Sequence, residues 1–193
     1  MLTFLGTSIY DSMQPKANCP TSCGNVSLPF PFGSEVGCFE KLQMYLSCNA
    51  ARTPPVLQMP DGSVVTGISV EEGILRLLNS SNQSSFLANL VPSLYASSGE
   101  WGVLRWAVDN ITCKDATALK EGYRCFSHSD CLDVTDERTL NHVGYRCKCS
   151  QGFEGNPYIK DGCTDIVSGK LQRESKLVLF GKLFAQRPSW QFL

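Results

Sequence analysis

The chain has 193 residues, enough for one ordinary domain or two small ones. Seventeen Lys and Arg against eighteen Asp and Glu leave a net charge of −1, which excludes a general electrostatic pull toward nucleic acid or anionic membrane. Ten cysteines, an even number, point to disulfides formed in an oxidising compartment and away from a reduced cytosolic enzyme.

Residues 1–18 read as leader and spacer. The run MLTFLGTSIY is followed by Asp11, and no Lys or Arg precedes Lys16, so it reads as a poor or truncated secretory signal. No stretch reaches the roughly 20 apolar residues of a membrane helix. The best candidate, Leu177 to Phe184, is short and interrupted by Lys182, so the chain as written is expected to carry no membrane anchor.

Cys19, Cys23, Cys38 and Cys48 follow, expected to pair among themselves in one of three ways. Leu28-Pro29-Phe30-Pro31-Phe32-Gly33 is expected to be extended, because a residue before proline is pushed out of the helical region. Phe30 and Phe32 then share a face, read as buried; the sharper alternative is an aromatic platform on which a sugar ring stacks. Gln43 to Cys48 alternates as a short strand, and Ala50 to Pro60, with Pro54-Pro55, is loop. Val64 to Val70 and Ile74 to Leu78 read as strands joined at Glu71-Glu72-Gly73, with glycine at the third position of a bulged three-residue turn. Asn79 to Ser85 is a polar loop, and Val103 to Val108 alternates as a further strand. No long helical periodicity is visible. Asn49 to Thr112 contains no cysteine, so this stretch must rest on an apolar core. Asn25, Asn79, Asn82 and Asn110 each head an Asn-x-Ser/Thr glycosylation triplet, in keeping with a secreted chain.

Six cysteines remain: Cys113, Cys125, Cys131, Cys147, Cys149 and Cys163, with 11, 5, 15, 1 and 13 residues between them. Six cysteines allow 15 connectivities. Cys147 and Cys149 are expected to turn to opposite faces of an extended segment and so to take different partners. From Cys149 to Cys163 the chain passes Gly152, Gly155, Asn156-Pro157 and Gly162, a tight two-turn ribbon that a Cys149–Cys163 bridge would close. A zinc module using these cysteines with His128 or His142 lacks paired Cys-x-x-Cys knuckles, and no metal ligand is assigned.

This spacing, with Gly144-Tyr145 before Cys147, resembles an epidermal growth factor (EGF)-like module. The resemblance implies the pairs Cys113–Cys131, Cys125–Cys147 and Cys149–Cys163. The first region carries a second resemblance. Cys19-x3-Cys23-Gly24, Phe30-Pro31-Phe32-Gly33, Gly37-Cys38, Cys48-Asn49 and Ile68-Ser69-Val70 before Glu71-Glu72 are similar to the galacturonan-binding domain of plant wall-associated receptor kinases. In that family an EGF-like module ending in Gly-Asn-Pro-Tyr and Gly-Cys-x-Asp-Ile comes next, as Gly155-Asn156-Pro157-Tyr158 and Gly162-Cys163-Thr164-Asp165-Ile166 do here.

The expected organisation is therefore a small, disulfide-rich, mostly β ectodomain. Residues 1–18 form leader or spacer, 19–112 a galacturonan-binding-like domain, 113–166 an EGF-like module, and 167–193 a divergent, unstructured basic tail. The chain reads as truncated before the family's membrane helix and kinase, and its expected location is extracellular or at the cell surface. The resemblance implies binding of pectic polysaccharide or oligogalacturonide, with no cofactor. The alternative is a protein-interaction ectodomain or secreted decoy using the EGF-like module.

No phosphate loop, kinase signature or Gly-x-Ser-x-Gly elbow is present, and Glu71-Glu72 are read as turn residues, so no catalytic residue is assigned. Calcium binding is not expected of the EGF-like module, because Asp109-Asn110-Ile111-Thr112 lacks an acidic or amide residue beside Cys113. A polyanion site needs cations. Between Cys19 and Thr112 these are Lys41, Arg52, Arg76 and Arg105, against seven acids. With Phe30 and Phe32 they are the candidate ligand-binding residues.

Overall fold

The computed structural model describes residues 14–78, 94–96, 102–119, 122–136 and 139–167. Residues 1–13 of the leader, the triplets at Asn79 and Asn82, and the tail beyond Val167 lie outside the described residues.

A small hairpin comes first, β1 (Ser22–Cys23) and β2 (Val26–Ser27), turned at Gly24-Asn25. A single 3-10 turn at Leu42–Met44 leads to a second hairpin, β3 (Ser47–Asn49) with β4 (Val56–Gln58). The strand expected from Gln43 thus begins only at Ser47. Met44 and Leu46 are still buried, so the apolar alternation reported burial rather than strand pairing. The main sheet is antiparallel, in the order β5 (Val65–Ser69), β6 (Ile74–Leu77), β8 (Val103–Trp106), β7 (Leu94–Ala96). The β5–β6 connection is four residues, Val70 to Gly73, one longer than expected, and Gly73 takes the left-handed backbone (φ 67°) that closes it. Leu104 and Trp106 face the core as their alternation predicts; on the other face Val103 and, just past the strand, Ala107 are buried too, with Arg105 partly exposed between them.

Residues 113–167 follow as a helix, α1 (Cys113–Leu119), a long hairpin of β9 (Ser129–Thr135) and β10 (His142–Cys149), and a short hairpin of β11 (Phe153–Gly155) and β12 (Cys163–Asp165). The helix, unforeseen from periodicity, starts at an N-cap, Thr112. Asp115 N–H donates to Thr112 Oγ1 (3.1 Å), and the Thr112 hydroxyl donates to Asp115 Oδ2 (2.6 Å).

Five disulfides staple the chain. Cys19–Cys38 and Cys23–Cys48 interlock the first region, one of the three pairings open from sequence. Cys113–Cys131, Cys125–Cys147 and Cys149–Cys163 run first to third, second to fourth and fifth to sixth, the pairs the EGF-like resemblance implies. Cys147 and Cys149 do not point to opposite faces. Positions two apart on a strand share a face, and both lie buried on the core side of β10. They diverge because Cys125 and Cys163 reach that side from different segments.

The Phe30 to Gly33 stretch is not extended. Its Phe30–Pro31 peptide is cis, and Phe32 N–H donates to the Pro29 carbonyl (3.0 Å), closing a turn that buries Leu28, Pro31 and Phe32 together.

One apolar core crosses the 112/113 boundary. It joins Leu28, Phe32, Met44, Leu57, Leu75, Leu104 and Trp106 from the first region to Tyr145, Cys147 and Tyr158 from the second. Phe32 meets Trp106 edge-on with centroids 5.2 Å apart, and Trp106 meets Tyr158 at 5.5 Å. Tyr158 is 1% exposed, and Cys147 N–H donates to its hydroxyl (2.7 Å). Asn156 Nδ2 donates to the Phe30 carbonyl (2.6 Å). The Gly-Asn-Pro-Tyr motif is thus a latch: the asparagine grips the Phe30 turn while the tyrosine fills the shared core. The backbones also join, since Val108 N–H donates to Tyr145 O (2.8 Å) and Tyr145 N–H to Asp109 O (3.0 Å). At this crossing only glycine fits at Gly144, because a Cβ there would occupy the Asp109 carbonyl oxygen.

Candidate functional site

The six candidate ligand residues do not form one site. Phe30 and Phe32 are 8% and 1% exposed, packed in the shared core. The platform alternative is therefore corrected: neither ring has a face free for a sugar. Arg52 stands in the exposed loop before β4. Lys41 lies where the two regions meet, its Nζ 2.8 Å from Asp109 Oδ2.

Arg76 and Arg105 come together through strand pairing. In the β6–β8 register Arg105 stands opposite Ile74, and Arg76 opposite Val103. The two arginines therefore share a sheet face on adjacent strands and are diagonal neighbours, about 7–8 Å apart at their backbones. Arg76 Nη2 lies 3.7 Å from Glu72 Oε2, an exposed pair.

Two cations reach the same corner from the second region. On β10, Arg146 and Lys148 alternate with Cys147 and Cys149, so burial of the cysteines turns both cations outward. Arg146 Nη1 donates to the Glu71 carbonyl (2.9 Å), and Lys148 Nζ lies 3.0 Å from Glu71 Oε1. Neither is among the cations expected from sequence, which lie between Cys19 and Thr112. The signal was the alternation around the paired cysteines.

Elsewhere on the seam the charges are structural. Arg124 Nε sits 2.7 Å from Glu40 Oε1, with side chains 16% and 6% exposed. Burial raises the Glu40 pKa above its ordinary value, although Arg124 and Lys41 pull it down. Asp109 moves the other way. Its burial is outweighed by the Lys41 ammonium, the Asn110 N–H and Arg124, so its carboxyl is held below the usual range. Desolvation pushes the Tyr145 phenol up to about 12 and raises Tyr158 further, so both hydroxyls act as neutral hydrogen-bonding groups.

Asn25 and Asn110 are exposed, which leaves both triplets open to solvent. Among the described residues no three His, Cys, Asp or Glu side chains are grouped to hold a metal ion, and no helix is long and apolar enough to cross a membrane.

Residues 19–79 match the family model described as wall-associated receptor kinase galacturonan-binding. Among curated proteins, the chain is 42% identical over 64 residues to wall-associated receptor kinase 5 of Arabidopsis thaliana and 44% identical over 66 residues to wall-associated receptor kinase 2. Each of these matches covers 33% of this chain and 8% of the relative. Wall-associated receptor kinase 4 is 31% identical over 111 residues, 58% of this chain and 13% of the relative. The chain thus spans only a small fraction of the length of these relatives. No solved structure matches it.

Proposed function

Because residues 19–79 are a galacturonan-binding domain of the wall-associated receptor kinase type, in an extracellular region similar to that of those kinases, we propose that this chain binds pectic polysaccharide. The domain match carries this reading. The matched domain belongs to a receptor ectodomain and is not catalytic, its setting is the cell wall, and the role of the chain is binding without an enzymatic step. The domain organisation proposed is the galacturonan-binding unit followed by an EGF-like module that completes its core.

The proposed contact face holds Arg76 and Arg105, the two predicted cations that strand register brings side by side. Their charge matches uronate carboxylates, and guanidinium groups engage carboxylates with two parallel hydrogen bonds. Exposed charge pairs contribute about 1 kcal/mol or less each, so strength comes from several contacts along a repeating polymer. Lys41 has a structural role at the seam, and Arg52 stands apart.

The test is retention of the full chain on immobilised polygalacturonate over a salt gradient, with and without calcium. Retention is expected at low salt and should weaken as the Debye length falls from about 10 Å at 0.1 M to about 3 Å at 1 M. Arg76→Ala with Arg105→Ala should elute earlier. No retention at low salt, with or without calcium, refutes pectin binding and favours a protein-interaction ectodomain. Unchanged elution of the double variant keeps the ligand and refutes this face.

A further inference from the structure

We propose that the uronate-binding face is composite: Arg146 and Lys148 of the second region belong to it, and Glu71 and Glu72 hold its cations until polymer carboxylates displace them. This deepens the pectin reading and rests on it.

The β5–β6 turn is where the charges converge. Arg76 is 3.7 Å from Glu72, Lys148 is 3.0 Å from Glu71, and Arg146 donates to the Glu71 carbonyl at 2.9 Å. Cations from two distant parts of the sequence therefore meet on two consecutive residues, with Arg105 one strand away. Arg146 reaches the turn by lying across Gly73. A Cβ at that position would stand 2.6 Å from Arg146 Cδ, so the glycine serves both the turn and the passage of the guanidinium. Among the described residues Arg146 donates to a neutral carbonyl and pairs with no carboxylate, so a ligand carboxylate has no internal anion to displace from it. Asp130, opposite Lys148 in the β9–β10 register, accepts from the Ser150 hydroxyl (2.9 Å).

Exposure separates these pairs from those of the seam. The side chains of Arg76, Glu72, Lys148 and Glu71 are 50%, 58%, 44% and 56% exposed, so water already competes for them. Such pairs are weak, and exchanging one carboxylate for another costs little. The Arg124–Glu40 pair is largely buried and has no such exchange open to it. The turn carboxylates act as internal stand-ins for uronates: they hold Arg76 and Lys148 beside Arg146, which the Glu71 carbonyl holds, and they set a threshold that a single carboxylate does not pass. A polymer passes it by presenting many carboxylates on one strand.

The signs of the predicted effects are opposite, which makes the test sharp. In the full chain, Arg146→Ala with Lys148→Ala should weaken binding of an oligogalacturonide about 5-fold by titration calorimetry and elute earlier from polygalacturonate. Glu71→Gln with Glu72→Gln should tighten binding, a gain that misfolding does not produce. Glu35→Gln with Asp161→Asn, an equal charge change away from the turn, is the control and should have a clearly smaller effect. Retention of the natural chain with unchanged elution of Arg146→Ala/Lys148→Ala overturns the composite face and leaves the pectin reading standing. A tightening by the control equal to that of the turn variant overturns the stand-in role. Absence of any retention by the natural chain removes the pectin reading and this inference with it.

Discussion

Residues 19–78 together with β8 carry two disulfides and a wide set of buried side chains, from Leu28 and Phe32 through Leu57 and Leu75 to Trp106. Residues 113–167 carry three disulfides. Their buried apolar side chains, cysteines apart and among the described residues, are Ala116, Val134, Tyr145, Pro157 and Tyr158. The first region is organised by apolar burial and the second by cross-links, and two tyrosines of the second complete the core of the first. Two small modules are often taken as independent beads. Here the cross-linked one is a lid, without which Trp106 and Phe32 would face water on one side.

The sharpest way to break that comparison is Tyr158→Ala. Removing a buried ring of this size costs about 4 kcal/mol, a large part of the stability of a small domain. If the lid reading holds, urea unfolding followed by the fluorescence of Trp106, in a chain with Trp101 and Trp190 replaced by Phe, shifts by the full amount although the substitution lies in the second region. A shift confined to the second region would restore the two-bead picture. Tyr158→Phe keeps the ring and leaves Cys147 N–H without its partner, so it should cost only about 1–2 kcal/mol.

Opening the Cys149–Cys163 bridge comes next in size. Its ends are 14 residues apart in sequence, and a closed loop of that length constrains the unfolded chain by about 3 kcal/mol. The loop also contains Asn156 and Tyr158, so a Cys149→Ser, Cys163→Ser variant should lower the same single transition that Tyr158→Ala lowers, and the two changes together should be less than additive. Full additivity would mean that the bridge and the latch act separately.

What could be read from the sequence follows from which interactions are local. The mostly β, disulfide-rich class was legible in cysteine number, glycine placement and short alternating runs, because those signals lie within a few residues of what they specify. β5, β6 and β8 were legible for the same reason. The helix at Cys113 was written in Thr112-x-x-Asp115, a cap signal that stands out only when the seven helical residues behind it are not required to be periodic. The Phe30–Pro31 turn was misread because proline excludes helix without choosing between extended chain and turn. The corner of Arg76, Arg105, Arg146 and Lys148 was only half visible. Strand register joins the first pair, but folding alone brings the second pair to Glu71, with Arg146 75 residues away along the chain.

The smallest effect tests the seam, where the comparison turns on charge. Glu40 and Asp109 lie on the first region's side of the seam, and their pKa shifts are opposed. The Glu40 pKa is raised above 4.5, so its protonation favours the folded state, and its contribution makes stability rise as pH falls from the folded value toward 4.5. The Asp109 pKa is lowered below 3.8, so its contribution is present above 3.8 and is lost as pH falls through the folded value. Together they give a shallow maximum between the two windows. Urea midpoints taken from about pH 6 to about pH 3 should show it, with Glu40→Gln removing the rise and Asp109→Asn softening the fall by about 1 kcal/mol or less. Lys41→Ala should mimic Asp109→Asn, because the Lys41 ammonium, 2.8 Å away, is the main group holding that carboxyl ionised. If Lys41→Ala leaves the acid limb of the curve unchanged, the ammonium does not hold the Asp109 carboxyl ionised, and the fall belongs to the Asn110 N–H and to Arg124, which reaches Asp109 from the second region.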